Sequence, residues 1–397
     1  MGADFRFIHC ADLHLGSRFK GVTRDDPELG VRMRQSVLDS FKRIVDTAVR
    51  ENVDAVFISG DVYDERFALP STRLFFVEQV SRLGNVPVFI ARGNHDVVTS
   101  WDSSIPYPPN VHEFPPEPDR IVISVRGKPV EVLGISFSVQ HEERDIASML
   151  HGTDGIFTVA CVHCDVDAAS EGHRYASCRL TELLTRGVDY WALGHVHKRQ
   201  VVHEYPHVVY AGNTQGRSYK ESGEKGAYVV TVSDGRVTDM RFFATQGIIW
   251  ADLDQDITGR DLNSVISELS SKVPLDGLAR IRFTGMGDLD AMLRSQGDDL
   301  LVTLSQRLGC TVTEITVETS PDIDLDELAG GKDMASKVVE SGRALEASGR
   351  DAIMSVILSH KMASGEEKVY SRLTDENLRA MVEEATRLVV TSMEGGR

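Results

Sequence analysis

Cysteine is scarce in this chain, with five in 397 residues, at positions 10, 161, 164, 178 and 310. So few thiols in a chain this long exclude a disulfide scaffold. Long apolar runs are also missing, and none reaches the roughly 18 residues that a membrane-crossing helix needs. The opening stretch, MGADFRFIHC, lacks the basic-then-apolar order of a secretion signal, and Arg6 stands where a myristoylation signal requires Ser or Thr. Positive charge is in deficit, with 43 Lys and Arg against 60 Asp and Glu, a formal charge of −17. A chain of that sign is no general polyanion binder, so any nucleic-acid surface must be a local basic patch. Repeats and low-complexity tracts are absent. The expectation is a cytoplasmic protein without a membrane anchor. Its 41% hydrophobic and 26% charged residues match an ordinary globular fold and rule out wholesale disorder.

At roughly 100–200 residues per domain, the length suits two or three domains. Over 1–247, short apolar and β-branched runs at 5–8, 54–58, 86–90, 157–162, 190–193 and 208–210 predict strands buried on both faces. Between the early ones, 31–53 carries Met33, Val37, Phe41, Ile44, Val45 and Ala48 at helical spacing, and 72–83 repeats the pattern more briefly. Alternation of this kind predicts a layered α/β domain with its chemistry at the carboxyl ends of the strands. The proline-rich stretch 106–118 reads as an extended loop. From 248 to 321 two helices alternate with three strands, a small α+β unit, and 322–397 is helical and acidic. Residues 248–397 hold 27 acidic and 16 basic side chains, so most of the negative charge lies away from the catalytic-looking part. The last helix is predicted to begin with Thr374 as N-cap, with Asp375 and Glu376 at the positive end of its dipole. It would carry Leu378, Met381, Val382, Ala385, Leu388 and Val389 as one apolar stripe.

Five polar motifs follow predicted strands: Asp12-Leu13-His14, Gly60-Asp61, Gly93-Asn94-His95-Asp96, His163 within CVHCDV, and Gly194-His195-Val196-His197. They supply two carboxylates, an amide oxygen and several imidazoles, a donor set suited to divalent transition metals. In Asp-x-His and His-x-His, alternate residues of an extended segment point the same way and can converge on one centre. The glycines before Asp61, Asn94 and His195 let the backbone turn sharply. Any one motif is weak evidence, because a lone His at a strand end is more often a satisfied core residue. Five in a row are specific.

FIHCADLHLGS, ARGNHD, and DYWALGHVHKR followed by YAGNTQGRSYKESGEKG resemble the calcineurin-like metallophosphoesterase superfamily. Within it the chain is similar to the SbcD-type, YhaO-like nuclease subunits of double-strand-break repair. The resemblance implies an α/β/β/α sandwich over 1–247, an α+β cap over 248–321 and a helical partner-binding region over 322–397. It implies two divalent ions, with Mn²⁺ as the activating metal. One would be held by Asp12, His14, Asp61 and His197 and the other by Asp61, Asn94, His163 and His195, with Asp61 between them. It further implies hydrolysis of phosphodiester bonds at DNA ends, an SMC-like coiled-coil ATPase as partner, and a homodimer. Two ions can clamp a phosphate and generate a nucleophile at neutral pH. His95, next to a ligand, is then the candidate to meet the scissile phosphate, with Asp96 orienting it. Some nuclease relatives carry a second His three residues after the bridging Asp; here that position is Asp64.

Substrate contact falls to Arg217, in a Gly-flanked turn, ahead of Arg92, Lys198, Arg199, Lys220 and Lys225, each of which also reads as an ordinary surface charge. Cys161 and Cys164 do not make a zinc pair, because residues three apart in a strand face opposite sides. His9 reads as packing, and His173 could approach substrate. The terminal helix stripe has three readings: internal core, partner docking or a dimer contact. The same two-metal chemistry also suits a nucleotide or phosphoprotein phosphoesterase, and a DNA-end scaffold with slow hydrolysis remains a reading from another class.

Overall fold

The computed structural model describes residues 4–17, 19, 27–64, 69–97, 105–167, 175–359 and 372–394. His173 and His360 lie outside them. The chain divides into two compact units, residues 1–250 and 251–397.

The first unit is built on two six-stranded sheets. In one, β1 (Phe5–Cys10), β2 (Ala55–Ser59), β3 (Val88–Ala91) and β4 (Val111–Glu113) run parallel. The antiparallel hairpin of β11 (Gly226–Ser233) and β12 (Arg236–Ala244) closes the β1 side. In the other, β6 (Lys128–Ile135), β7 (Phe157–His163), β8 (Tyr190–Gly194) and β10 (His207–Tyr210) are parallel, flanked by antiparallel β5 (Asp119–Val125) and β9 (Gln200–Glu204). The period-2 alternation of the strands explains the layering. Phe5, Phe7, Phe57 and Phe89 of the first sheet meet Val130, Val132, Phe157, Val159 and Tyr190 of the second in one core. The alternate residues Leu133, Ala160, Val162, Trp191 and Leu193 face a second core beneath Leu183. Helix α1 (Pro27–Glu51), whose predicted stripe from Met33 to Ala48 is buried throughout, lies against β1 and α2 (Pro70–Ser81). The result is the expected α/β/β/α sandwich. Cys161 points between the sheets and Cys164 into the outer core, so the two thiols face opposite sides.

Five strands escape the hydrophobic pattern: β5, β6, β9, β11 and β12. β5, β9 and β12 are edge strands with a solvated face, so polar residues interrupt their apolar runs, while β6 and β11 are the inner, largely buried strands of hairpins. β5 and β6 are joined through Arg126 and Gly127, β11 and β12 through Asp234 and Gly235, all four at positive φ. That backbone is the hairpin turn an Asp-Gly pair favours, a signal present in the sequence. The stretch 106–118 likewise contributes β4 rather than remaining loop throughout.

The second unit carries a three-stranded sheet in the order β13 (Trp250–Asp256), β14 (Leu278–Met286), β15 (Thr311–Ser320), with β14 and β15 parallel. Leu269, Ile281, Phe283, Leu304 and Val312 form its core. Its helical part ends in a helix over Asp375–Glu394, capped as expected: Thr374 Oγ1 accepts from the Asn377 amide and Asn377 Oδ1 from that of Thr374. The stripe is rotated from its predicted position. Leu378, Val382, Thr386 and Val390 are buried, four residues apart, while Met381, Ala385, Leu388 and Val389 are exposed. A single neighbouring helix layer covers only a narrow line of positions. Among the described residues no helix is long and apolar enough to cross a membrane.

His9 shows the core's demand on a polar group. It is fully buried, with Nδ1 3.0 Å from the Tyr190 hydroxyl and Nε2 3.2 Å from the Leu193 carbonyl. Burial pushes its pKa down to about 3, against the Leu193 carbonyl, which pulls it upward. The unfolded chain takes up a proton here below about pH 6.5, whereas the folded one does not, so the contribution is complete above that pH and lost as pH falls toward the folded value. Between pH 7 and pH 5 the wild type is therefore expected to lose about 2 kcal/mol that a His9→Gln variant does not lose. Denaturant unfolding at the two pH values measures the difference, and parallel losses would contradict it.

Candidate metal centre

Because β1, β2 and β3 run parallel in one sheet and β7 and β8 in the other, their carboxyl ends meet along one rim of the first unit. The motif loops leave the strands there and are stitched together by their backbones. Asp12 N donates to the Gly60 carbonyl at 3.1 Å and His14 N to that of Asp61 at 2.9 Å. The Asp12 carboxylate accepts from His195 N at 3.2 Å, and Asp61 Oδ1 from His95 N at 2.9 Å. Asp12, His14, Asp61 and His195 all adopt positive φ, between 47° and 95°. Such backbone costs about 1–3 kcal/mol per non-glycine residue and persists only where its surroundings hold it. Two glycines are required for space: a Cβ on Gly60 would enter the His163 ring, and one on Gly93 would enter the Asp61 carboxylate.

The side chains converge in two overlapping groups. Asp12, His14 and His197 form one and Asp12, Asp61 and His163 another, each with its donor atoms within 4.8 Å of one another. His14 Nε2 lies 3.1 Å from His197 Nε2, and Asp61 Oδ2 stands 3.7 Å from His14 Nε2 and 3.6 Å from His163 Nε2. Asn94 Oδ1 is 3.0 Å from His163 Nε2. The His195 ring packs edge-on against His163, with Nε2 3.6 Å from Asp165. The two groups share Asp12, and Asp61 Oδ2 lies between His14 of one and His163 of the other. His95 joins His14 and Asp61 in a third, more exposed triplet.

The electrostatics of the cluster call for positive charge. Asp12 is buried, and desolvation followed by repulsion from Asp61 pushes its carboxyl well above the usual range. Burial holds two of the imidazoles neutral, lowering His14 well below its ordinary value and His163 to about 4. His163 Nδ1 donates to the Ser59 carbonyl at 3.0 Å, leaving its Nε2 lone pair facing Asp61 and Asn94. His14 Nδ1 is buried with no hydrogen-bond partner among the described residues. Imidazoles, carboxyl groups and an amide oxygen facing one centre form a donor set that fits divalent metal ions.

Around this cluster the structure assigns partners that spacing did not reveal. His95 Nδ1 lies 3.4 Å from Asp64 Oδ1, and that contact, outweighing burial, raises the His95 pKa. Asp64 is itself held below its ordinary range by His95, against the opposing effect of burial. Asp64 therefore takes the orienting place expected for Asp96. Asp96 accepts instead from the amides of Val62 (2.8 Å), Tyr63 (3.3 Å) and Gly93 (2.9 Å), fixing both loops that flank Asp61. A carboxylate one residue along a tight turn from His95 meets the turn's own N–H groups before it can reach that ring. Arg217 is at the site: its guanidinium lies 3.2 Å from Ser17 Oγ and 3.4 Å from His197 Nδ1. Arg92 is no substrate contact, being buried and paired with Glu113 at 2.5 Å. Lys225 donates to the His197 carbonyl at 3.3 Å, and Arg199 lies over the Phe242 ring, while Lys198 and Lys220 are exposed.

Comparison with known proteins agrees with this geometry. Residues 5–199 match the calcineurin-like phosphoesterase family, and the first unit carries a calcineurin-like metallophosphoesterase domain. The chain is 36% identical over 265 residues to the uncharacterized metallophosphoesterase YhaO of Bacillus subtilis, covering 65% of this chain and 64% of that one. It is 25% identical over 274 residues to the SbcD component of the SbcCD nuclease of Escherichia coli, covering 58% of this chain and 66% of that one. With the DNA double-strand break repair protein Mre11 of Aeropyrum pernix it shares 26% identity over 219 residues, covering 49% of this chain and 50% of that one. The chain spans between half and about two thirds of these relatives' length.

Gly93→Ala is expected to abolish divalent-ion binding measured by calorimetry while leaving the far-ultraviolet circular dichroism unchanged, because its Cβ would displace the Asp61 carboxylate and the His163 ring, both donors of the cluster. Asp61→Ala is expected to lose both ions. One ion retained at wild-type affinity would remove Asp61 from its place between the two groups.

Proposed function

We propose that this metallophosphoesterase is a two-metal DNA nuclease that hydrolyses phosphodiester bonds at DNA ends. The observation that carries the reading is the buried Asp–His–Asn cluster centred on Asp61, with the His95–Asp64 pair on its more exposed side. Asp12, His14, Asp61 and His197 would hold one ion, and Asp61, Asn94, His163 and His195 the other. When bound, two divalent ions, Mn²⁺ by family resemblance, supply Lewis acidity toward the phosphate and a water nucleophile at neutral pH.

The chain's own groups do the rest. Asp64 accepts from His95 Nδ1 and so leaves Nε2 free to meet the phosphodiester. The raised pKa keeps His95 protonated closer to neutrality, ready to donate its Nε2 proton to the departing oxygen. Arg217, held by Ser17 and Glu221, offers guanidinium hydrogen bonds to a phosphate oxygen. Exposed Lys198 and Lys220 nearby in sequence would hold flanking phosphates, the local basic patch an acidic protein needs. DNA as substrate is supported by the relatives named as nuclease and break-repair proteins. On the same footing, residues 248–321 would cap the site and 322–397 would dock an SMC-like ATPase, the exposed Met381, Leu388 and Val389 offering an apolar line for it. A homodimer and a cytoplasmic setting complete the reading.

The test pairs release of nucleotides from an end-labelled duplex with hydrolysis of bis-p-nitrophenyl phosphate, both in Mn²⁺. Activity on both is expected, with a loss of about 10²–10⁴-fold in His95→Ala at unchanged ion binding. Asp64→Asn is expected to lose less and to shift the alkaline limb of kcat/KM to lower pH, because the carboxylate no longer raises the His95 pKa. Hydrolysis of the small diester alone would move the substrate to a nucleotide. Silence on both with ions bound would leave a DNA-end scaffold.

A further inference from the structure

Of the imidazoles facing the cluster, His197 has the shortest carboxylate contact, 2.7 Å against 3.4 Å for His95 and 3.6 Å for His195. His163 has its Nδ1 on the backbone carbonyl of Ser59, and His14 Nδ1 has no partner among the described residues. His197 Nδ1 instead lies 2.7 Å from Glu221 Oε1. An ionised carboxylate only accepts, and at 2.7 Å it is far closer to Nδ1 than the Arg217 guanidinium, a donor 3.4 Å away, so the proton sits on Nδ1 and the Nε2 lone pair faces His14 Nε2 at 3.1 Å and Asp12 Oδ1 at 3.8 Å. Glu221 is itself fixed. Its other oxygen accepts from Asn213 Nδ2 at 2.9 Å and from the Arg217 amide at 2.7 Å, and the side chain is 13% exposed.

We infer that Glu221 is a positioning residue that locks His197 in the Nδ1–H tautomer and so keeps the Nε2 lone pair on the ion's side of the pocket. This rests on the reading of His197 as a metal ligand. Because the same carboxylate also receives the Arg217 amide, it ties the imidazole that meets the ion to the loop carrying the guanidinium that meets the phosphate. The chemistry of the site predicts the effect of a neutral isostere. In Glu221→Gln the amide oxygen turns toward the two donors, Asn213 Nδ2 and Arg217 N, and the amide nitrogen turns toward His197. A donor facing Nδ1 reverses the tautomer and puts the proton on Nε2, where an ion would have to displace it.

The experiment reads the His197 tautomer from long-range ¹H–¹⁵N correlations in the metal-free full chain, alongside calorimetric titration with Mn²⁺. The wild type is expected to be protonated at Nδ1. Glu221→Gln is expected to be protonated at Nε2 and to bind Mn²⁺ about 10–100-fold more weakly. An Nε2–H tautomer in the wild type overturns the inference without recourse to any variant. An unchanged tautomer or affinity in Glu221→Gln, while His197→Ala loses affinity, also overturns it but leaves His197 as a ligand. Wild-type affinity in His197→Ala removes His197 from the ligand set, and the inference with it.

Discussion

Two carboxylates, Asp12 and Asp61, are buried within 4.8 Å of each other and of His163, with little water to screen them. Isolated burial of like charges is among the costliest arrangements a protein can hold, and it is tolerated when a cation shares the site. Much of the first unit's architecture serves that arrangement. The positive φ of Asp12, His14, Asp61 and His195 turns the strand ends back on themselves so that side chains from different strands meet at one point. Gly60 and Gly93 clear the space, and Asp96 spends its carboxylate on the amides of the loops around Asp61. The strain is held by two sheets whose shared aromatic core leaves the rim little freedom to relax.

A second network surrounds the first. Glu221 binds His197 and the Arg217 amide, Arg217 reaches Ser17, Ser17 Oγ donates to Asp64 at 3.3 Å, and Asp64 meets His95. This path joins the loops after β1, β2, β3, β8 and β10 through charged or hydroxyl groups, and each carboxylate on it has its hydrogen-bonding capacity engaged. Such a network fixes tautomers as well as positions, which matters where an imidazole must present a lone pair to an ion on one side and a proton to a carboxylate on the other. Asp64 has a particular place in it, since a carboxylate can orient His95 where a second imidazole could not accept as strongly.

The sequence determined a good deal by itself. Buried strands announced themselves as apolar runs, α1 as a stripe from Met33 to Ala48, and the seven candidate ligands as short motifs at strand ends, because backbone periodicity and ligand chemistry are local properties. The Asp234-Gly235 hairpin turn was equally local and readable. What only the tertiary structure decided were the partnerships across loops far apart in the chain. Glu221 lies 24 residues from His197 and carries no motif of its own. Arg92 reads as a substrate cation until Glu113 is seen beside it. The terminal helix shows a broad apolar stripe, yet which line of it is buried depends on the helices packed against it. Residue type limits what a side chain can do, but burial and the groups that folding brings within about 3 Å decide which of those roles it takes.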